Sequence, residues 1–335
     1  MPRFVPAEWA QHQAMWVGFP SHGELWLEHL EAAQIEVAAL AVALAGPGAE
    51  RVRLLVNGKA AMAAAKAMIG SAQNIDLVEV PFGDVWLRDT GPIWVKQAGQ
   101  IRAQGFGFNG WGGKYDLPDD HTVAASLAQA SGSCFDTSDF ILEGGSLDHD
   151  GFGTVLTTRQ CLLNPNRNSG INQASAEARL ASTLGIKKVL WLEDGLMNDH
   201  TDGHIDNLAR FVAPGVVACP LGYGRADPNT ELYGETARQL SAMTSHDGTG
   251  LQVVRIASPG RVEDGDGQPV PASHMNFLIA NKAVIVPLYD DADAGAHAVE
   301  ALASLFPERQ VLGLASSALL TGGGSFHCIS QQVPA

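Results

Sequence analysis

The sequence reads as an α/β protein assembled from repeated units. Helical and strand-length segments alternate along the chain, the alternation returns at a spacing of roughly 50 to 70 residues, and no linker marks a boundary between units. Length alone, 335 residues, favours two domains. With 46% hydrophobic residues the chain can bury a substantial core.

Taken in order, apolar positions three and four apart mark amphipathic helices over 25–44, 60–69, 122–129, 174–184, 231–243 and 292–305. Between them lie short apolar runs of strand length at 52–56, 77–80, 154–157, 188–192, 216–219, 253–256, 277–279 and 284–286. The stretch 262–271 is acidic and glycine-rich, as expected of a surface loop.

The formal net charge of -15 disfavours nucleic acid and anionic membranes as partners and favours a small cationic molecule. The opening Met1-Pro2-Arg3-Phe4-Val5-Pro6 lacks the apolar run of a signal peptide, so a cytoplasmic location is expected. The uncharged stretch 310–335 contains three consecutive glycines, Gln331 and Gln332, and does not suit a membrane span. Homo-oligomerisation is left open. The four cysteines, Cys134, Cys161, Cys219 and Cys328, are too scattered for a disulfide framework or a thiolate zinc site, so each is a small buried hydrophobe or a nucleophile.

Glycine-bracketed segments carry the chemistry-bearing residues. They are Gly83 to Pro92 with Asp84 and Asp89, Gly107 to Gly113, Glu143-Gly144-Gly145-Ser146, and Gly322-Gly323-Gly324-Ser325-Phe326-His327-Cys328. Glycine permits sharp turns and close approach, which places such residues at loop tips. A further stretch, Asp202-Gly203-His204-Ile205-Asp206-Asn207, offers His204 and Asp206 two apart; on a strand they would share a face about 6.6 Å apart along it.

Cys328, after a glycine run and beside His327, has a more exposed and polar setting than Cys134 or Cys219 and is the candidate nucleophile. Asp89 and Asp206 suit a guanidinium, whose planar fork carboxylates bind in bidentate fashion. Trp86 could cover the cation's face, although a plain core role is nearly as good a reading. Asp89 could equally pair with Arg88 or cap a turn. Glu143 is the candidate to hold His204 and raise its pKa, or else a carboxylate at a strand end. His200 and His204, four apart, could be helical metal ligands with Asp202 or Asp206, but Gly203 interrupts them and no glutamate lies between.

The ordered set Trp86-x-Arg88-Asp89-Thr90-Gly91-Pro92, Phe108-Asn109-x-Trp111-Gly112-Gly113, Glu143-Gly144-Gly145-Ser146, Asn164-x-Asn166-Arg167-Asn168, Asp202-Gly203-His204-x-Asp206-Asn207 and Gly322-Gly323-Gly324-x-x-His327-Cys328-Ile329-x-Gln331-Gln332 resembles the agmatine deiminase family. That family is related to the bacterial peptidylarginine deiminases within the guanidino-group-modifying (pentein) superfamily. The resemblance runs from Trp16 to Gln332. It implies a single catalytic domain over 1–335 with the pentein fold, a five-bladed α/β propeller of ββαβ units with pseudo-fivefold symmetry.

It also implies Cys328 as nucleophile, His204 as acid and base, Glu143 as its partner, and Asp89 and Asp206 as guanidinium ligands. Trp86, Trp111 and Asp202 would line the substrate site, Asp202 or Asp199 meeting a distant amine. The implied reaction hydrolyses agmatine to N-carbamoylputrescine and ammonia through an amidino-cysteine, in putrescine and polyamine biosynthesis, with no cofactor and no metal. The rivals are a deiminase of peptidyl or free arginine, a metal-dependent hydrolase built on His200 and His204, and a binding protein for cationic amines.

Overall fold

The computed structural model describes residues 3–224 and 226–335. It contains five separate sheets, and four share one pattern: two antiparallel strands, a crossover helix, and a third strand parallel to the second. A parallel neighbour needs a long connection, and a helix supplies it while covering one face of the sheet.

The first unit runs β1 (His12–Gly18), α1 (Leu30–Ala45), β2 (Val52–Val56), α2 (Lys59–Ile69) and β3 (Ile75–Glu79), with all three strands parallel. The second comprises β4 (Ile93–Gln97), β5 (Gln100–Gly107), α3 (Val123–Ala130) and β6 (Cys134–Ile141). The third comprises β7 (Asp148–His149), β8 (Thr154–Thr158), α4 (Gln173–Leu184) and β9 (Lys188–Leu192). The fourth is β10 (Arg210–Ala213), β11 (Val216–Leu221), α5 (Thr230–Ser241) and β12 (Gln252–Ala257). The fifth is β13 (Leu278–Ile279), β14 (Ala283–Leu288), α6 (Ala292–Leu305) and β15 (Gln310–Ala315). The last strand, β16 (Ser330–Pro334), returns to pair antiparallel with β1, which gives the first unit its antiparallel member and joins the two chain ends.

Local sequence explains the helices. Asn172 and Ser175 form a reciprocal cap at the start of α4, which buries Ala176, Leu180 and Leu184 four apart and stops at Gly185, φ 74°. Asp291 caps α6 through the Ala294 amide, and Ala294, Ala298 and Leu302 make its buried stripe. All six expected helices are present. The expected helix over 25–44 is broken at its start, where Leu27 has φ 48°, so the regular helix begins at Leu30.

The apolar residues form separate clusters between sheets and helices, with no single central core. The middle of the molecule is buried and polar. A short turn precedes the first strand of each unit: Leu87–Thr90, Gly144–Ser146, Ile205–Asn207 and His274–Asn276, with a turn over 326–329 before β16. Consecutive turns touch, the His327 amide bonds Asn276 Oδ1 at 2.9 Å, and the Arg88 amide donates to the Cys328 carbonyl at 3.0 Å, closing the ring.

Beneath the ring, fully buried Arg210 pairs with Glu8 and, at 2.5 Å, with Asp148, while its Nη1 donates to the carbonyls of Met275 and Phe277. Ions this deep are tolerated only when paired and hydrogen-bonded on several sides, as Arg210 is.

Candidate active site

The ring of turns gathers the residues that the sequence singles out. Asp89 comes from the first turn, Glu143 from just before the second, His204 and Asp206 from the third, and Cys328 from the last. All five are buried, with His204 and Asp206 at 0% exposure and Cys328 at 6%. The expected exposed setting of Cys328 is therefore corrected: Cys134 is the exposed cysteine, and Cys328 lies at the polar centre. Polarity of setting and exposure to solvent are different properties, and a buried axis lined by acids separates them.

His204 and Asp206 reach the site by a different route from the one their spacing suggested. Residues Ile205–Asn207 form a 3-10 turn and are not a strand. The tight turn at Gly203, φ 87°, brings the chain in against Gly195, and a side chain at 203 would strike that backbone. His204 then sits with Nε2 3.5 Å from Glu143 Oε2 and Nδ1 3.8 Å from Asp89 Oδ1.

Asp89 is held from two sides. Its Oδ1 accepts the Gly145 amide and its Oδ2 the indole N–H of Trp111, both at 2.9 Å. Trp111 adopts left-handed backbone (φ 53°) in a loop braced by the Asn109 side chain on the Gly112 amide. Asp206 Oδ2 lies 2.8 Å from His327 Nδ1 and 3.7 Å from Cys328 Sγ, whereas its buried Oδ1 has no partner. An unpartnered buried carboxylate oxygen is costly, and a bound cation with N–H groups would satisfy it.

The point of convergence is Gly145. A Cβ placed there would lie 2.5 Å from His204 Nδ1, 2.9 Å from Asp89 Oδ1 and 3.1 Å from Asp206 Oδ2. Gly324 plays the same part beside Trp86, where a Cβ would lie 2.6 Å from the indole ring and 3.2 Å from Cys328 Sγ. The Trp86 ring stacks on Trp26, and both indole N–H groups donate to the Asp84 carboxylate, at 2.8 and 3.0 Å. Trp86 is thus both a buried residue and a wall beside the sulfur.

The electrostatics follow from burial opposed by charge. Burial alone would depress His204, but Asp89, Cys161 and Glu143 outweigh it and hold the imidazole well above its usual range, in its charged form. Glu143 is pushed up by burial yet held low overall by His204 and Arg167. Asp206 also stays low despite burial, because of His327, His204 and Arg210. Burial followed by Asp206 and Asp89 drives the Cys328 thiol well above the ordinary thiol range.

Asp202 lies at the rim with both oxygens engaged. Lys114 Nζ is 2.6 Å from one, while Asn166 Nδ2 at 3.0 Å and the Arg167 guanidinium share the other. Asp202, a candidate to meet a distant amine, is thus already paired with two cations, Lys114 and Arg167. His200 is exposed and its Nδ1 bonds Tyr115 at 2.9 Å; the metal-capable group that includes His204 is completed by Glu143 and Cys161 and does not contain His200.

Three contributors were given no specific role by the sequence. Asn276, from the fourth turn, donates to Cys328 Sγ at 3.2 Å and accepts the amides of His327 and Cys328. Arg167, which stood in a motif without a role, bonds Glu143 Oε1 at 2.9 Å. Cys161, whose amide is capped by Thr158, places Sγ 3.9 Å from Glu143 Oε2. Glu143, Cys161 and His204 are the set able to hold a metal among the described residues.

A family model described as Porphyromonas-type peptidyl-arginine deiminase matches residues 4–334. The chain is 37% identical to an agmatine deiminase of Pseudomonas aeruginosa (strain LESB58), over 99% of this chain and 95% of that one. Agmatine deiminase of Enterococcus faecalis superposes with a TM-score of 0.92 at 31% identity, covering 99% of this chain and 96% of the other. A cysteine-to-serine variant of the C. jejuni agmatine deiminase, solved with substrate bound, superposes with a TM-score of 0.90 at 27% identity over 100% and 97%.

Proposed function

The chain belongs to the Porphyromonas-type peptidyl-arginine deiminase family, and from that premise we propose that it hydrolyses agmatine to N-carbamoylputrescine and ammonia. The observation that carries the reading is the convergence of Asp89, Asp206, His204 and Cys328 on Gly145 and Gly324, with Asp206 Oδ1 unpartnered. The substrate bound in the C. jejuni enzyme supports a guanidine of this size.

A guanidinium is resonance-stabilised and a poor electrophile, so the site must align its carbon with the sulfur and protonate the departing nitrogen. Asp89 and Asp206 take its N–H groups and fix its plane. Their neutralisation removes the two negative charges that keep Cys328 protonated, so the thiol loses its proton to solvent as the cation binds. Asn276 then stabilises the thiolate by donating to it.

The thiolate attacks the guanidinium carbon. Charged His204 gives its proton to the leaving nitrogen, ammonia departs, and an amidino-cysteine remains. Neutral His204 next takes a proton from water as that water attacks the same carbon. Collapse breaks the C–S bond, passes the hydroxyl proton to the released ammonia in solvent, and yields the neutral urea product, ammonium and free thiolate. Glu143, oriented by Arg167, holds His204 through the cycle.

The five units share the axial ring, which supports taking 1–335 as one catalytic domain. Among the described residues no helix is long and apolar enough to cross a membrane. The proposal includes a place in putrescine and polyamine biosynthesis, which N-carbamoylputrescine would feed, and a cytoplasmic location. The test is ammonia release from agmatine, free arginine and an arginine-containing peptide, with mass spectrometry of the cysteine peptides. Turnover of agmatine in preference to the others, an amidino adduct on Cys328, and loss of at least about 10³-fold in rate in Cys328→Ser are expected. Turnover confined to the peptide, or an active Cys328→Ser, would overturn the reading.

A further inference from the structure

Glu143, Cys161 and His204 bring a carboxylate oxygen, a sulfur and a ring nitrogen within 4.8 Å of one another, all buried. Glu143 Oε2 is 3.5 Å from His204 Nε2 and 3.9 Å from Cys161 Sγ. Tetrahedral zinc, with bonds of about 2.0 to 2.1 Å to nitrogen and oxygen and about 2.3 Å to sulfur, holds its ligand atoms roughly 3.3 to 3.6 Å apart. The separation of Oε2 from Nε2 already matches this spacing, and that of Oε2 from Sγ exceeds it by a few tenths of an ångström.

Two independent features point to a ligand there. Both ring nitrogens of His204 lack a hydrogen-bond partner although the residue is fully buried. Arg167 occupies Oε1 of Glu143 and leaves Oε2 turned toward the sulfur and the imidazole. In the proposed hydrolysis the Cys161 thiol forms no bond with the substrate; it faces the Glu143 carboxylate and the imidazole.

We propose that Glu143, Cys161 and His204 form an inhibitory site for a thiophilic divalent cation of the zinc class, which takes His204 Nε2 and reversibly stops turnover. Sulfur and imidazole select such ions over magnesium and calcium, which prefer all-oxygen sets. Binding displaces the thiol proton and the proton of charged His204 into solvent. The guanidinium of Arg167 opposes it by like charge, which makes the site weaker than a structural zinc centre and suits reversible occupancy. The inhibitory effect rests on the acid-base role given to His204 above; the binding itself does not.

Cobalt(II), added to the full-length protein, reads the site independently of turnover through the thiolate-to-cobalt absorption of a Co–S bond. Wild type and Cys328→Ser are expected to develop this absorption at one equivalent, and Cys161→Ala and Cys161→Ser are expected to lack it. In the ammonia assay zinc should inhibit the wild type, a chelator should restore it, and the inhibition constant should rise at least about tenfold in both Cys161 variants. Each inhibition constant is read against that variant's own metal-free rate, so a change in basal turnover on losing the thiol beside His204 does not enter the comparison. The site is overturned if wild type shows no cobalt–thiolate absorption, or if that absorption persists without Cys161 and vanishes without Cys328. The paired variants, checked by circular dichroism, separate a folding defect in one from loss of the ligand. Absorption as expected in a protein that releases no ammonia would sink the deiminase reading and leave the metal site standing.

Discussion

The side-chain amide of Asn276 points Nδ2 at Cys328 Sγ from 3.2 Å, and the same side chain accepts the Cys328 amide through Oδ1. One residue thus fixes the sulfur's backbone and donates to its charged form. The fourth turn of the ring also holds the fifth through the His327 amide, which Asn276 Oδ1 accepts at 2.9 Å.

Replacing Asn276 by Asp keeps the shape and the acceptors and removes the donor. Asn276→Asp is therefore expected to lower kcat/KM for agmatine by roughly 10²-fold, as loss of a single donor to developing negative charge does elsewhere. Steady-state kinetics checks this. An unchanged kcat/KM would leave Asn276 a purely structural role.

Gly145 has no left-handed requirement, so its backbone accepts alanine, yet a methyl there would press on His204, Asp89 and Asp206 together. Gly145→Ala should fold with a melting temperature near that of wild type and lose about 10²-fold or more in kcat/KM, because displacing aligned groups by about 1 Å is this costly. Wild-type turnover would show that the guanidinium slot lies elsewhere.

In the ligand-free protein, burial and then the charges of Asp206 and Asp89 favour the neutral thiol of Cys328. Alkylation by neutral iodoacetamide, followed on the Cys328 peptide by mass spectrometry, should be slow at neutral pH. It should accelerate only above the range of a free thiol, about 8.5. Removing one charge in Asp206→Asn should move that profile to lower pH. A reaction already at its plateau at neutral pH would contradict the assignment.

The loop that carries Trp86 rests on Asp120, whose Oδ1 accepts the Gly83 and Asp84 amides at 2.8 and 3.2 Å. Burial, aided by Asp84 and opposed by those amides, pushes the Asp120 carboxyl up to about 7. An unfolded aspartate titrates near about 3.9, so between these values the folded chain binds more protons and stability falls as pH rises. Asp120→Asn resembles the protonated form. Its stability in urea should fall less than that of wild type between about pH 5 and about pH 8, by about 2 kcal/mol. Parallel curves for the two proteins would refute the shift.

The class of fold was legible because helices and inner strands have one apolar face, and that periodicity is local. The six helices and runs such as 52–56 and 188–192 match observed elements. Strand β16 was missed because it is buried with polar residues, Ser330, Gln331 and Gln332, which meet Arg88 and the axis. Such a strand carries no apolar period to read. His204 and Asp206 were found, but the strand imagined for them is a turn.

The sequence alone determined which residues could do guanidine chemistry, since Asp, His, Glu and Cys beside glycine are recognisable one segment at a time. Only the tertiary structure decided that they meet, that Asp202 is already neutralised by Lys114 and Arg167, and that Asn276 and Cys161 join them. The reason is that these contacts depend on the ring closing when β16 pairs with β1, and no local propensity encodes a contact between the two ends of a chain.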